Sequence, residues 1–193
     1  MRKLIVSVLT SLDGYFQGAG ADLSVMPFED AFNDHNLALL RRAGAFVYGG
    51  TWFEQNQRHW RAVAADPDAS ERDREIAALV VSLESIVISD SVAVAADAPW
   101  SSTTRVVPRA DAVAEIARLK ERAGGDLLMF GSATTWNPLL EVGLVDELVV
   151  LVGAALLGGG GEKLYSGPRA QLALLDAEVL PGSQLVRLRY APS

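Results

Sequence analysis

The sequence contains no cysteine among its 193 residues. This absence excludes disulfides and zinc sites built on thiolates. Histidine is almost as scarce, since only His35 and His59 are present, and we predict no metal site. Neither histidine belongs to a recognisable pattern, so surface or helix-end positions are expected for both. No stretch approaches the roughly 18 apolar residues of a membrane-spanning helix.

The chain also lacks an excess of basic residues, with 17 Lys and Arg against 24 Asp and Glu and a formal net charge of -7. This balance argues against a general binder of nucleic acids or anionic membranes. One bound nucleotide stays possible, because backbone N–H groups can hold a phosphate locally. The N-terminal stretch MRKLIVSVLTSLDG has a short, interrupted apolar run and no small-residue cleavage site. It predicts the first strand of a cytoplasmic protein rather than a signal peptide.

Half of the residues are hydrophobic, and the length suits one domain over residues 1–193. Strand-like and helix-like segments alternate along most of the chain, and the C-terminal segment LALLDAEVL–PGS–QLVRLRYAP predicts a hairpin. This order predicts an α/β fold with a mixed, mainly parallel central sheet flanked by helices, and with a C-terminal antiparallel hairpin. Strands are expected at 4–9, 45–48, 85–89, 105–107, 126–130 and 147–152.

Helix ends follow from capping residues and glycines. A helix over 28–42 is expected to end with Gly44 as its C′ residue. A second helix covers 71–83, and a third is capped by Asp111. The last helix is expected to begin near Thr134 or Thr135, which would place Pro138 in its first turn, where a missing N–H costs nothing.

Four short polar or glycine-containing segments follow predicted strands, at 11–14, 49–51, 89–91 and 131–134. In an open α/β sheet, ligands collect at the carboxyl ends of strands, where helix N-termini present unpaired N–H groups. Gly131 permits a tight turn and the close approach of a pyrophosphate, and the hydroxyls after it could cap a helix. A capped turn without a ligand is the alternative. The segment is not a G-x-G-x-x-G fingerprint.

A resemblance covers nearly the whole chain. The segments MRKLIVSVLTSLDGY, AFVYGGTWFE, ESIVISDS and LKERAGGDLLMFGSATTWNPLLEVGLVDELVVLVGAALLGGG occur in this order. They resemble the dihydrofolate-reductase-like family, which includes the reductase domain of the bifunctional riboflavin-biosynthesis deaminase–reductase. The deaminase half needs thiolate-bound zinc, so a chain without cysteine is expected to match only the reductase half.

The resemblance implies a reductase that uses NADPH or NADH on a small heterocyclic or ribosylamine-type substrate, as a homodimer. On matching positions, it implies that one turn cradles the pyrophosphate and that three further segments complete the site. The pyrophosphate turn is Gly131, Ser132, Ala133 and Thr134, and Gly49 and Thr51 complete the phosphate site. Further cofactor-binding candidates are Gly50, Ser89 and Asp90, and residues 11–14 open the loop over the nicotinamide.

Two positions depart from the family pattern. The family often has a basic residue at the position of Gly50 and an Arg at the position of Asp90, and both usually serve the 2′-phosphate of NADP. A carboxylate suits a ribose 2′-hydroxyl better, so NADH is expected to rival or exceed NADPH. Arg105 or Arg109 could restore the lost positive charge.

The catalytic candidates are Asp34, Asn33 and Asp13. Dihydrofolate reductases carry a carboxylate on the first helix, and the matching position falls near Asn33 or Asp34. Asp30 lies one helical turn before Asp34, and a buried carboxylate there could act as a general acid. The alternative is that both form a solvated face. Asp13 could touch the substrate or simply form an Asp-Gly turn, which we favour.

Aromatic side chains supply the candidate substrate contacts, namely Phe28, Phe32 and Trp52. A core position is the alternative for Trp52, and Phe53 beside it shares both interpretations. Two other functions remain open. One is a non-catalytic nucleotide-binding protein that retains the fold, and the other is a structural dimer without a cofactor.

Overall fold

The computed structural model describes residues 1–24 and 26–192. These residues form two compact units. The first contains residues 1–2 and 36–129, and the second contains the described residues of 3–35 together with 130–192. Helix α1 (Asp30–Leu40) contains the boundary between them.

The first unit is an alternation of parallel strands and helices. Its strands run in the order β5-β4-β3-β6, and each pairs in parallel with its neighbour. Parallel strands are covered on both faces, which agrees with the apolar runs FVY and IVI in this unit. The elements are β3 (Ala43–Gly49), α2 (Phe53–Ala65), α3 (Glu71–Ser82), β4 (Glu84–Ile88), β5 (Thr104–Val107), α4 (Ala112–Glu121) and β6 (Asp126–Phe130).

The second unit joins one parallel strand pair to an antiparallel hairpin. Its strands run in the order β1-β7-β10-β9, of which β1 and β7 are parallel and the other two pairs are antiparallel. All seven residues of β1 are buried. The elements are β1 (Leu4–Thr10), β2 (Tyr15–Gln17), α5 (Ala133–Glu141), β7 (Glu147–Val152), β8 (Glu162–Lys163), β9 (Leu172–Val179) and β10 (Val186–Pro192). The short strands β2 and β8 pair with each other.

The predicted fold class is confirmed, including the mainly parallel pairing and the C-terminal antiparallel hairpin. The predicted bounds of β7 agree with the structure, and those of β4 and α3 differ by one residue at each end or less. Ser70 caps α3 as Ser residues commonly do, since its Oγ accepts a hydrogen bond from the N–H of Asp73 at 3.0 Å.

Two expectations about helix ends are wrong, and a third, the cap at Asp111, is confirmed in position but not in its hydrogen bond. Helix α1 ends at Leu40, and Gly44 lies inside β3, where an added Cβ would stand 2.8 Å from the nitrogen of Gly125. A close pass of two backbones, not a helix end, therefore requires this glycine. Asp111 occupies the N-cap position of α4 but makes no side-chain cap hydrogen bond.

Pro138 lies inside helix α5, not in its first turn, because the helix begins at Ala133. Pro138 is consequently the sixth helical residue. Its ring removes the N–H that would bond the carbonyl of Thr134, so this helix carries an interruption in its ladder.

Candidate functional site

Three loops of the first unit follow the carboxyl ends of neighbouring parallel strands. The last residues of β3, β4 and β5 are in register, with Gly49 beside Ile88 and Ile88 beside Val107. The loops that follow therefore leave from one edge of this part of the sheet, where ligands of α/β proteins commonly bind. Gly49 ends β3, and the loops after β3 and β4 carry the other predicted residues Gly50, Thr51, Ser89 and Asp90.

Gly50 and Ser89 are in direct contact. A Cβ added at Gly50 would stand 2.6 Å from the Ser89 Oγ. That Oγ accepts hydrogen bonds from the N–H groups of Ser91 and Val92, both at 3.2 Å. The glycine thus makes room for a serine that closes its own turn. This contact explains why position 50 is a glycine, which the sequence alone did not reveal.

Asp90 is held by the segment that follows β5. Its Oδ1 accepts a hydrogen bond from the N–H of Arg109 at 2.9 Å, and the Arg109 Nε lies 3.9 Å from its Oδ2. Both side chains are largely exposed, so the attraction between their charges is weak. Arg105 instead pairs with Glu84 and Glu115. Of the two arginines considered from the sequence, Arg109 is the one at Asp90.

The glycine turn after β3 does not place a hydroxyl at a helix start. Helix α2 begins at Phe53 with Trp52 as its N-cap residue, and Thr51 is exposed before it. The Trp52 side chain is 40% exposed, which leaves it available for a ligand. Phe53 is fully buried and packs edge-on against Tyr48 and Trp100, so it belongs to the core.

In the second unit, the chain turns sharply between β6 and α5. Gly131 and Ser132 both adopt positive φ, at 61° and 56°. A Cβ added at Gly131 would meet nothing within 4 Å, so the turn itself rather than crowding favours glycine. The left-handed conformation of Ser132 costs roughly 1–3 kcal/mol for a residue with a side chain. Strain of this kind is concentrated at functional sites.

The first turn of α5 begins directly after this strained pair. The N–H groups of Thr135 and Trp136 donate to the carbonyl of Ser132, at 2.7 and 3.1 Å. Ala133 is buried and Thr134 is exposed, while Ser132 makes no side-chain cap. The Oγ1 of Thr135 is buried without a hydrogen-bond partner among the described residues. The expected cap is therefore replaced by a backbone turn with open space beside Gly131.

Asp13 anchors one loop of the second unit to another. Its carboxylate accepts hydrogen bonds from the Ser11 Oγ at 2.7 Å and from the N–H groups of Leu157 and Gly158 at 3.0 and 2.8 Å. These hydrogen bonds, led by that from Ser11, lower the pKa of Asp13 to about 2. The carboxyl is ionised at neutral pH, so the favoured interpretation as a turn residue agrees better with its contacts than the catalytic one.

Helix α1 presents its two carboxylates on an exposed face. Asp30 and Asp34 are both exposed and Asn33 is half-buried, so neither carboxylate has the buried setting expected of a general acid here. Phe28 is 52% exposed and meets Phe32 edge-on, with ring centroids 5.3 Å apart. Phe32 packs against a buried cluster formed by Leu9, Met26, Leu151, Leu180 and Leu185.

His35 is buried, which contradicts the expected surface position. Its Nε2 lies 3.3 Å from the Ser7 Oγ on β1. Burial lowers the pKa of His35 to about 4, and the charges of Arg187 and Arg189 act in the same direction while Glu147 opposes them. The apolar spacing of α1 could have indicated this, because His35 falls on the same helical stripe as Phe32 and Leu39. His59 is exposed, as expected.

No group of three His, Asp or Glu side chains able to hold a metal ion occurs within residues 1–24 and 26–192. In the same described part of the chain, every helix is too short or too polar to cross a membrane.

Residues 2–186 match the family model of the RibD C-terminal domain. The chain belongs to this family. Among curated proteins, the Bacillus subtilis protein YyaP is 24% identical to this chain over 165 residues. The aligned region covers 82% of this chain and 78% of YyaP.

Two solved structures show the shared fold of this RibD C-terminal domain. The first is the Thermotoga maritima diaminohydroxyphosphoribosylaminopyrimidine deaminase/5-amino-6-(5-phosphoribosylamino)uracil reductase, with a TM-score of 0.68 and 10% identity. The match covers 100% of this chain and 57% of that enzyme. The second is Enterococcus faecalis dihydrofolate reductase in complex with NADP(H) and RAB-propyl, with a TM-score of 0.58 and 14% identity. This match covers 99% of this chain and 96% of that one. The predicted dihydrofolate-reductase-like fold is thus confirmed.

Proposed function

We propose that this protein is an NAD(P)H-dependent reductase of a small heterocyclic substrate of the pterin or pyrimidine class. The observation that carries this proposal is the match to the RibD C-terminal domain family over residues 2–186. The named activity of the Thermotoga maritima relative is the reduction of a ribosylaminopyrimidine, and the dihydrofolate reductase of the same fold binds NADP(H). Both facts favour a reductase over a non-catalytic nucleotide-binding protein.

In the second unit, the turn at residues 131–134 is our candidate for the cofactor's pyrophosphate. Gly131 leaves open space, and Ala133 and Thr134 carry the N–H groups at the start of the helix, while those of Thr135 and Trp136 are bonded to Ser132. The Thr135 hydroxyl in the same first turn is buried without a hydrogen-bond partner among the described residues. These features fit an anion held by backbone amides. The bound cofactor would supply hydride, while the chain orients it and excludes water.

In the first unit, we assign Ser89 and Asp90 to the adenosine ribose, with Gly49, Gly50 and Thr51 beside them. Asp90 is exposed, and its Oδ1 accepts a hydrogen bond from the N–H of Arg109, so a ribose hydroxyl could reach the other oxygen of its carboxylate. A 2′-phosphate would meet repulsion from the same group. We therefore propose that NADH binds at least as tightly as NADPH, even though Arg109 lies nearby.

None of the three aspartates considered from the sequence is a buried carboxylic acid that could supply the proton that accompanies the hydride. Asp30 and Asp34 are exposed, and Asp13 is an ionised anchor. Asn33, which is half-buried, remains our candidate for a substrate contact, together with Phe28, Phe32 and Trp52. We propose that solvent delivers the proton and that these side chains position the ring.

We also propose a homodimer formed through strand β9, at the end of the strand order in the second unit. Four of its large apolar side chains are exposed, namely Leu172, Leu174, Leu175 and Val179. Exposed apolar edge strands commonly pair with another chain.

The cofactor experiment measures the rise in Tm and the dissociation constant for NADPH and NADH separately. At about 100-fold excess over the dissociation constant, a bound cofactor stabilises the protein by about 2.7 kcal/mol. We expect stabilisation by both and a preference for NADH. Asp90→Arg should shift the preference towards NADPH by roughly tenfold, because it exchanges repulsion for attraction at the 2′-phosphate.

The matched control is Asp97→Arg, which makes the same charge change at an exposed position of the same unit. It should leave the preference unchanged. A protein that shows no response to either cofactor contradicts the reductase proposal. Oxidation of the cofactor in the presence of the ribosylaminopyrimidine or dihydrofolate then separates a reductase from a non-catalytic binding protein.

A further inference from the structure

A cavity of about 270 Å³ opens in the second unit between three segments of the chain. Pro27 and Glu29 precede helix α1, Ala154 and Ala155 follow β7, and Gln184 and Leu185 precede β10. The segments are closely joined, since a Cβ added at Gly153 would stand 2.6 Å from the Cγ of Pro27. The Glu29 carboxylate also accepts a hydrogen bond from the Ser183 Oγ. The cavity walls are thus held together by packing and by a hydrogen bond.

The segments around this cavity carry exposed apolar side chains. Phe28 lies between two lining residues, and Leu156 directly follows Ala155 and is 71% exposed. Leu12 is 67% exposed, and its N–H donates to the carbonyl of Ala155 at 2.7 Å. Apolar side chains that are exposed together commonly mark a binding surface. Three such residues next to the lining segments favour a ligand with an apolar face.

Two of the three segments that line the cavity lie in stretches of mainly negative charge, and Arg187, which follows the third, is paired with Asp176 and Glu178. Residues 11–35 and 153–165 contain six Asp and Glu residues, and Lys163 is the only Lys or Arg in those ranges. Glu29 is the ionisable residue that lines the cavity itself. A bound phosphate usually requires Arg or Lys side chains or a set of free N–H groups.

The glycine-rich loop after β7 does not provide those N–H groups at residues 157 and 158. The N–H groups of Leu157 and Gly158 already donate to the carboxylate of Asp13. Because this carboxylate is ionised, an anion of the protein already occupies these two N–H groups. A second anion there would be repelled.

We infer that this cavity takes a planar, uncharged or cationic substrate that carries no phosphate group. This substrate class rests on the proposed reductase function and narrows it. It also distinguishes the protein from the Thermotoga maritima enzyme, whose named substrate carries a phosphoribosyl group.

The test compares 5-amino-6-ribosylaminouracil with its 5′-phosphate, which differ only in the phosphate, by titration calorimetry of the full chain. We expect the phosphate ester to bind at least about tenfold more weakly, which corresponds to about 1.4 kcal/mol. Leu156→Arg should tighten binding of the ester by several-fold, because it adds a cation beside the cavity. Leu156→Gln is the matched control and should leave the ratio unchanged.

Equal or tighter binding of the ester to the unmodified protein overturns the inference, and so does the absence of binding by both compounds. The rise in Tm caused by NADPH or NADH is measured on the same samples. If that rise is absent, the proposed reductase function fails by itself; if it is present while the ester binds better, only the substrate class is wrong.

Discussion

At the scale of single residues, His35 belongs to a buried polar group rather than to the surface. Ser7, Glu147 and Arg189 lie on the neighbouring strands β1, β7 and β10, and the Arg189 Nε donates to a Glu147 carboxylate oxygen at 2.7 Å. Glu147 is 4% exposed. A buried carboxylate that has a partner is tolerated, whereas an additional cation at His35 would stand near two arginines. The imidazole is therefore neutral in the folded protein.

This neutrality predicts a loss of stability in mild acid. An unfolded histidine has a pKa near 6.5, whereas the pKa of folded His35 is about 4. Between these values the unfolded chain binds more protons, so the free energy of unfolding falls as pH falls from about 6.5 to about 4. Between pH 7.5 and 4.5, the free energy of unfolding of His35→Gln should fall by about 2 kcal/mol less than that of the unmodified protein. Urea unfolding at both pH values measures this difference.

The control for this experiment is His59→Gln, which replaces an exposed histidine on α2. It should retain the acid sensitivity of the unmodified protein. If His35→Gln and His59→Gln lose the same free energy on acidification, His35 is not the group responsible. Asp13 does not interfere, because its lowered pKa moves its contribution to pH values between about 4 and 2.

At the scale of elements, the loops after parallel strands are fixed by contacts with distant parts of the sequence. Asp13 follows β1 and bonds a loop more than 140 residues later. The N–H of Leu12 reinforces the same junction through the carbonyl of Ala155. The glycine-rich loop at 153–161 is thus tied at its centre although glycine gives its backbone wide freedom.

Removal of the Asp13 carboxylate should release that loop. In Asp13→Ala, the amides of Leu157 and Gly158 lose their acceptor, and we expect their hydrogen exchange to accelerate roughly tenfold or more. Asp22→Ala is the matched control, because Asp22 accepts a hydrogen bond from the nearby N–H of Ser24. The exchange rates are measured by NMR. If the rates of the amides at 157 and 158 are unchanged in Asp13→Ala, the carboxylate does not hold the loop.

The elements themselves were largely predictable, because they depend on local patterns. Glu147 and the apolar run of 148–152 after it indicated β7 in full, and Gly131 indicated the turn before α5. The contacts within the candidate site were harder to predict from the sequence. Ser89 fills the space beside Gly50 from 39 residues away, and no local pattern shows it. The start of α5 was misplaced because Ser132 adopts a left-handed conformation, which is uncommon for serine.

At the scale of the whole molecule, the apolar surface of the C-terminal hairpin needs an explanation. Cross-strand partners share one face of a sheet, and one face of β9 and β10 pairs Val179 with Val186 and Ala177 with Leu188. After the register shift between Arg189 and Tyr190, the same face continues with Leu174 beside Tyr190 and Leu172 beside Pro192. Within the described residues, β9 has β10 as its only strand partner, so its other edge presents unpaired backbone groups.

These two properties together predict a dimer in which the β9 strands of two copies meet about a twofold axis. A single edge strand with apolar side chains can supply both main-chain hydrogen bonds and buried area to such an isologous interface. The unmodified protein should therefore sediment as a dimer at micromolar concentration. Leu174→Glu places a carboxylate at an exposed position of β9, where each copy would meet the same charge on its partner, so the dissociation constant should rise roughly tenfold or more. Val142→Glu adds the same charge at an exposed residue outside β9 and should leave the dimer intact. A monomeric unmodified protein, or equal weakening by both substitutions, would remove β9 as the interface.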